Sequence, residues 1–182
     1  MTFKRGIILY GPPAVGKDTV TRALTAIGGR YEHFRRLKIG AGRGLGYRIT
    51  TQAALSALCE RGDVLYANSR YGATYVIDRD ELDNIAGRGH VPVLHLGQVG
   101  GITAVTTGYP LSWLVVALWC SREETEQRLV GRQDSRIAER LAAWDETLAD
   151  FRSADLAIFA LTLNTAAIEP GLAAKVIDSC CR

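Results

Sequence analysis

The segment Gly11-Pro12-Pro13-Ala14-Val15-Gly16-Lys17-Asp18-Thr19 follows the apolar run Ile7-Ile8-Leu9-Tyr10 and holds the residue types best suited to chemistry. Two glycines bounding a short loop, then a lysine, predict a strand, a phosphate-binding loop and a helix. Successive backbone N–H groups in such a loop form a nest around a polyphosphate, and the following helix presents its positive end to the same anion. Lys17 can reach the outer phosphates as a point charge, and glycine lets the backbone approach closely. The residue after the lysine is usually Ser or Thr, whose hydroxyl holds magnesium. Here Asp18 stands in that place and Thr19 follows. Asp18 could coordinate magnesium directly or through water, with Thr19 on an inner phosphate. Its carboxylate also favours a helix N-terminus electrostatically, and the two roles are compatible.

Two further basic clusters bear on the same chemistry. Arg128, Arg132, Arg136 and Arg140 recur four apart, interrupted by Gly131 and the turn signal Gln133-Asp134-Ser135, so they straddle two helices and a connection. They form either a solvated face or a lid that neutralises charge spreading onto transferring phosphates. Arg35-Arg36-Leu37-Lys38 precedes a loop over residues 40–47, with Gly40, Gly42, Gly44 and Gly46 at every second position and Tyr47 at its end. That cluster is either solvated surface or a seat for a second anion, the phosphate of an acceptor. Tyr71, in Arg70-Tyr71-Gly72, could add a hydroxyl donor. No general base is evident, which fits an acceptor phosphate, already a nucleophile at neutral pH, better than an alcohol. Tyr66, His95 and Gln98 fit an acceptor pocket or plain packing equally well. Cys59, Cys120 and the pair Cys180-Cys181 lack metal-ligand spacing, and His33, His90 and His95 stand singly, so no zinc site is expected.

The elements that must position these groups follow from the hydrophobic pattern. Residues 6–10, 91–96, 113–119 and 156–163 are β-rich runs apolar on both faces, as in strands of a parallel sheet packed between helices. Asp78 with Glu81, and Ser121 with Glu124, predict helix N-termini, and Gly87 closes the first of those helices. Ile137, Leu141, Trp144, Leu148 and Phe151 recur at the spacing of a core-facing helix. The alternation predicts an α/β architecture with right-handed crossovers. At 182 residues the chain fits one domain. A formal charge of +3 suits anionic small molecules and gives no nucleic-acid footprint. Lys4, Lys17, Lys38 and Lys175 are the lysines among 22 basic residues, and the rest are arginine. Arginine grips phosphate with two parallel donors, although an arginine-favouring codon usage gives the same bias. Neither a signal peptide nor an apolar run of bilayer length is visible, so a reduced cytoplasmic setting is expected.

From the P-loop nearly to the C-terminus the chain resembles the guanylate kinase family of nucleoside monophosphate kinases. Phe34-Arg35-Arg36-Leu37-Lys38 and the 40–47 loop stand where that family has a basic motif and a glycine-containing loop ending in tyrosine. Tyr47-Arg48-Ile49-Thr50 looks like its Tyr-x-Phe, and Arg70-Tyr71-Gly72 is similar to its Tyr-Tyr-Gly. Arg128-Leu129, Arg132 and Arg140-Leu141 match its paired lid arginines, and Leu161-Thr162-Leu163-Asn164 resembles its strand ending near the ATP base. The resemblance implies a P-loop kinase three-layer α/β fold with a central parallel sheet, a small acceptor-binding subdomain and a lid. The core would be 1–33, 88–127 and 152–182, the acceptor subdomain about 34–87 and the lid about 128–140. It also implies ATP and Mg2+, with ATP on Gly11, Pro12, Pro13, Ala14, Val15, Gly16, Lys17, Asp18, Thr19 and Asn164, and the metal on Asp18. Arg35 or Arg36, Lys38, Tyr47 and Tyr71 would hold the acceptor phosphate, and Lys17, Arg132 and Arg140 would serve transfer.

Departures from the family bear on the acceptor. Val64-Leu65-Tyr66 and His95-Leu96-Gly97-Gln98-Val99-Gly100 replace its two guanine-reading acidic motifs. Without a carboxylate for the donor edge of guanine, preference for GMP should be lost. Ribose 1,5-bisphosphate phosphokinase also looks similar, sharing the Gly-Lys-Asp loop ending and lacking those carboxylates. The expectation is an ATP-dependent phosphotransferase acting on a nucleotide other than GMP or a sugar phosphate, as a monomer or homodimer. A catalytically inactive, protein-binding guanylate-kinase-like module is the rival. A nucleotide-hydrolysing switch lacks a water-positioning residue.

Overall fold

Ile7, Ile8, Leu9 and Tyr10 are all fully buried, so the first strand, β1 (Arg5–Tyr10), runs through the centre of the molecule. The computed structural model describes residues 4–40 and 44–181. Part of the glycine-rich loop, with Gly42, lies outside them. β1 pairs in parallel with β7 (Val91–Leu96) on one side and β8 (Ser112–Trp119) on the other. β2 (Tyr31–His33) extends the sheet beyond β7, and β9 (Leu161–Asn164) extends it beyond β8. The result is a five-stranded parallel sheet in the order β2-β7-β1-β8-β9.

Alternation along β1 sends its side chains into two cores, which is why the run is apolar on both faces. Ile7 and Leu9 pack with Val20 and Leu24 of α1 (Lys17–Gly28) and Ile177 of α7 (Pro170–Cys180). Ile8 and Tyr10 pack with Leu82 and Ile85 of α3 (Arg79–Gly87) and Ile102 and Val105 of α4 (Val99–Gly108). Truncating one such buried aliphatic to alanine costs about 2–5 kcal/mol. The predicted caps are present: Asp78 Oδ2 accepts from Glu81 N at 3.2 Å, and Ser121 Oγ accepts from Glu124 N at 3.1 Å. They open α3 and α5 (Arg122–Gly131), and α3 ends at Gly87. The helical stripe lies on α6 (Ile137–Ser153), where Leu141 and Trp144 are buried and share that face with Ala143 and Thr147.

Residues 156–163 do not form one strand. Asp155 caps a short 3-10 helix (Leu156–Ile158) by accepting from Ala157 N at 2.9 Å, and only then does β9 begin. β9 is an edge strand, so Thr162 and Asn164 face outward where a sandwiched strand would bury both faces.

A second sheet has the order β4-β3-β6-β5 and is mixed. It contains β3 (Leu37–Gly40), β4 (Arg48–Ile49), β5 (Val64–Arg70) and β6 (Ala73–Asp78). With α2 (Gln52–Glu60) it encloses a small core of Leu37, Leu55, Leu58 and Val76. β5 and β6 form an antiparallel hairpin, with Tyr71 at its turn in a left-handed conformation of φ +55°. Among the described residues no helix is long and apolar enough to cross a membrane, and none of the four cysteines is in a disulfide.

Candidate active site

The loop from Gly11 to Gly16 joins the C-terminal end of β1 to the N-terminus of α1, at the sheet edge where parallel α/β folds place ligands. Gly11 N donates to Leu96 O at 3.0 Å, and a Cβ on Gly11 would lie 2.3 Å from Leu118 O. Only glycine fits that approach. Gly16, the N-cap of α1, has φ +102°, and no side chain caps the helix. The first-turn N–H groups of α1 are therefore left for an anion. Val15 is fully buried and anchors the loop in the core. A cavity of about 220 Å³ opens over Ala14, Gly16, Lys17, Asp18 and Thr19, with Arg22 and Arg132 at its walls. A second, of about 190 Å³, adjoins it between Thr19, Thr165, Ile168 and Pro170 and also touches Arg132.

Lys17 Nζ donates to Gly11 O at 2.7 Å and Pro12 O at 2.8 Å. Burial pushes its pKa down to about 7; Asp18 opposes that shift, while Arg36, Arg140 and Arg70 add to it. Arg36, Arg70 and Arg140 thus add positive field at Lys17, while Asp134 pairs with Arg140 and Glu146 with Arg70. Arg140 is aimed by Asp134, whose carboxylate accepts from its Nε at 2.9 Å, and its guanidinium lies 5.3 Å from the centre of the Tyr71 ring. Arg136 stacks on the same ring at 5.4 Å. Arg128 turns inward instead. It donates to Thr165 O at 2.9 Å and Thr165 Oγ1 at 3.1 Å, and reaches Ala14 O and Val15 O at 3.4 Å. It braces the loop from behind.

The second sheet supplies the opposite wall. Burial lowers the pKa of Arg36, whose guanidinium lies 5.1 Å from the Tyr75 ring centre and 3.5 Å from Asn68 Oδ1. Lys38 is buried with its Nζ 5.7 Å from the Tyr47 ring centre, and Tyr47 packs on Tyr75 at 5.2 Å. The Tyr71 hydroxyl is buried without a well-formed hydrogen bond, beside the Arg70 guanidinium. Arg70 ties this wall to α6 through Glu146 at 2.5 Å. Arg35 is exposed, and its carbonyl accepts from Arg48 Nε at 2.9 Å. The Tyr66 hydroxyl donates to Gln98 Oε1 at 2.7 Å. Asn164 faces solvent, with its Oδ1 accepting from Ala166 N at 3.0 Å, so Thr165 rather than Asn164 lines the second cavity.

Sequence spacing missed one grouping. His33 at the end of β2 and His95 near the end of β7 bring their rings to 4.4 Å, and Asp18 Oδ1 lies 3.7 Å from His95 Nδ1. Burial lowers the pKa of both imidazoles, with His33, Lys17 and Arg36 lowering that of His95 further. No local signal marked this pair, because β2 and β7 become neighbours only in the folded sheet. The exposed Asp18 carboxylate offers oxygen to a hard cation such as Mg2+, and the loop's N–H nest suits a polyphosphate.

No protein-family model matches the chain, and no curated protein matches it in sequence. Solved structures do match its shape. A guanylate kinase from Anaplasma phagocytophilum aligns over 99% of this chain and 85% of its own, at TM-score 0.68 and 16% identity. A sugar kinase from Janibacter sp. HTCC2649 aligns over 97% of this chain and 93% of its own, at TM-score 0.57 and 13% identity. With its five-stranded parallel sheet between helices, the chain has a guanylate kinase-like kinase fold.

Proposed function

We propose that this protein transfers the γ-phosphoryl group of ATP to the phosphate of a small acceptor, either a nucleotide other than GMP or a sugar phosphate. The observation that carries the reading is the loop itself: Gly11 packed against Leu118 O, a left-handed Gly16 opening the uncapped α1, and a cavity lined by Lys17, Asp18, Thr19 and Arg132. In this reading the triphosphate lies on residues 11–19, and the base enters the cavity beside Thr165 and Ile168. Lys17 leaves the carbonyls of Gly11 and Pro12 for the outer phosphates. Arg36, Lys38, Tyr47 and Tyr71 hold the acceptor phosphate on a subdomain of about residues 34–87, with Arg35 at its rim. Arg132 and Arg140, on a lid of about residues 128–140, neutralise charge on the equatorial oxygens. An acceptor phosphate oxygen forms the new P–O bond as the β–γ bridging bond breaks and ADP leaves. Mg2+, when bound at Asp18, would screen the phosphates from one another. Lid closure excludes water and limits hydrolysis.

The likeness to both a guanylate kinase and a sugar kinase supports the class of reaction but leaves the acceptor open. The absence of acidic groups at Val64-Leu65-Tyr66 and at His95 to Gly100 argues against GMP. The test is ADP release from magnesium-ATP across nucleoside monophosphates, ribose 1,5-bisphosphate and other sugar phosphates, with mass spectrometry of the products. One strong acceptor gaining a single phosphoryl group is expected. No transfer and no ATP binding would overturn the reading in favour of a protein-binding module.

A further inference from the structure

Asp18, His33 and His95 come from three separate elements, yet a ligand atom from each lies within 4.8 Å of the others. Asp18 sits in the first turn of α1, His33 ends β2, and His95 lies near the end of β7. We propose that these three side chains form a site for a borderline divalent cation of the Mn2+, Fe2+, Co2+ or Zn2+ class, at the mouth of the phosphate-binding loop. Two imidazoles and a carboxylate suit such ions, whereas Mg2+ selects oxygen ligands. Three protein ligands leave coordination positions open for water or a phosphate oxygen.

The surroundings of His95 fit a ligand. Its Nε2 lies 2.7 Å from Thr21 Oγ1, a buried hydroxyl. With Nε2–H donating to that oxygen, the Nδ1 lone pair is turned toward Asp18 Oδ1 at 3.7 Å. Metal-binding imidazoles are characteristically held this way through the second ring nitrogen. The side chain of Asp18 is 80% exposed, so its carboxylate can close the remaining gap. Bond lengths of about 2.0–2.2 Å set ligand atoms about 3.0–3.6 Å apart, so the cluster closes on the ion chiefly by movement of the exposed Asp18 side chain. Lys17 and Arg36 face His95, and Arg35 and Arg36 face His33, all opposing a bare cation. Bound phosphate would reverse that field.

A part for this ion in phosphoryl transfer rests on the proposed kinase reading. The binding of the ion does not, and it is measured without nucleotide. Tag-free protein is titrated with Mn2+, chosen because the exposed thiols of Cys59 and Cys180 bind it poorly. Paramagnetic resonance counts bound ions, and spin-echo modulation detects coordinated imidazole nitrogen. The expected result is one saturable site with nitrogen modulation that survives excess Mg2+. His33→Ala and Asp18→Asn should each weaken it by about tenfold or more while circular dichroism stays unchanged, and Thr21→Val by about tenfold through misorientation of His95. His33 lies on an edge strand, so its truncation is tolerated better than that of His95. Absence of a stoichiometric site, Mn2+ bound without nitrogen coupling, or affinity unchanged in both ligand variants would overturn the proposal. Phosphoryl transfer with Mg2+ but no Mn2+ site would sink this proposal alone. A Mn2+ site with neither transfer nor ATP binding would sink the kinase reading alone.

Discussion

The two walls of the cleft are built from different material. On the loop side, the groups available to an anion are backbone N–H donors, fixed by Gly11 against Leu118, by Gly16 as a left-handed N-cap and by buried Val15. On the second sheet they are side chains, Arg36 on Tyr75 and Lys38 beside Tyr47, with Arg136 and Arg140 at the start of α6 stacked on its Tyr71. Backbone donors recognise a phosphate whatever it is attached to, because they are set by chain geometry. Side-chain donors can be exchanged one at a time, so under the proposed reading that wall sets selectivity for the acceptor. Under the proposed kinase reading, the contrast separates a general donor site from a specific acceptor site.

The sharpest way to break this contrast is Lys17→Ala. Phosphoryl transfer should fall by at least about 10³-fold with the fold retained, and steady-state ADP release would read it. Turnover in a folded mutant would remove the loop from the chemistry. Arg140→Ala, between the two walls, should lower kcat by about 10²–10³-fold with little change in KM for ATP, because it acts on charge formed during transfer. Arg36→Ala should act on one wall alone, raising acceptor KM by roughly 10–100-fold while ATP affinity stays the same. A matching loss of ATP affinity would show that the walls are not separate. Tyr71→Phe removes one hydroxyl and should cost about 2–10-fold in acceptor KM. Arg128→Ala tests the brace: thermal unfolding should show about 1–3 kcal/mol of lost stability, and ATP binding should weaken because the loop carbonyls at Ala14 and Val15 lose their support.

Legibility in the sequence follows the same division. The loop could be read because its geometry demands particular residues at fixed spacing, and the strands on either side because both their faces are buried. Caps at Asp78 and Ser121 were visible for the same local reason. The strands of the second sheet gave no such signal, since Val64–Arg70 and Ala73–Asp78 carry polar and aromatic side chains toward the cleft as well as apolar ones toward their small core. Residues 156–163 misled because an apolar run does not report an edge, and Asp155 spends its first turn on a 3-10 helix. The pairing of His33 with His95 is purely tertiary: β2 and β7 are adjacent only in the folded sheet. The fate of Arg128 was hidden likewise, because its spacing groups it with the other arginines while its contacts are with Thr165 and the loop.

The account stands most directly on nucleotide binding at the loop. Calorimetric titration of the intact chain with magnesium-ATP should give a single saturable site per chain, lost on Lys17→Ala while the fold persists. Absence of saturable binding by the wild-type chain, or equal binding by the folded variant, would contradict it.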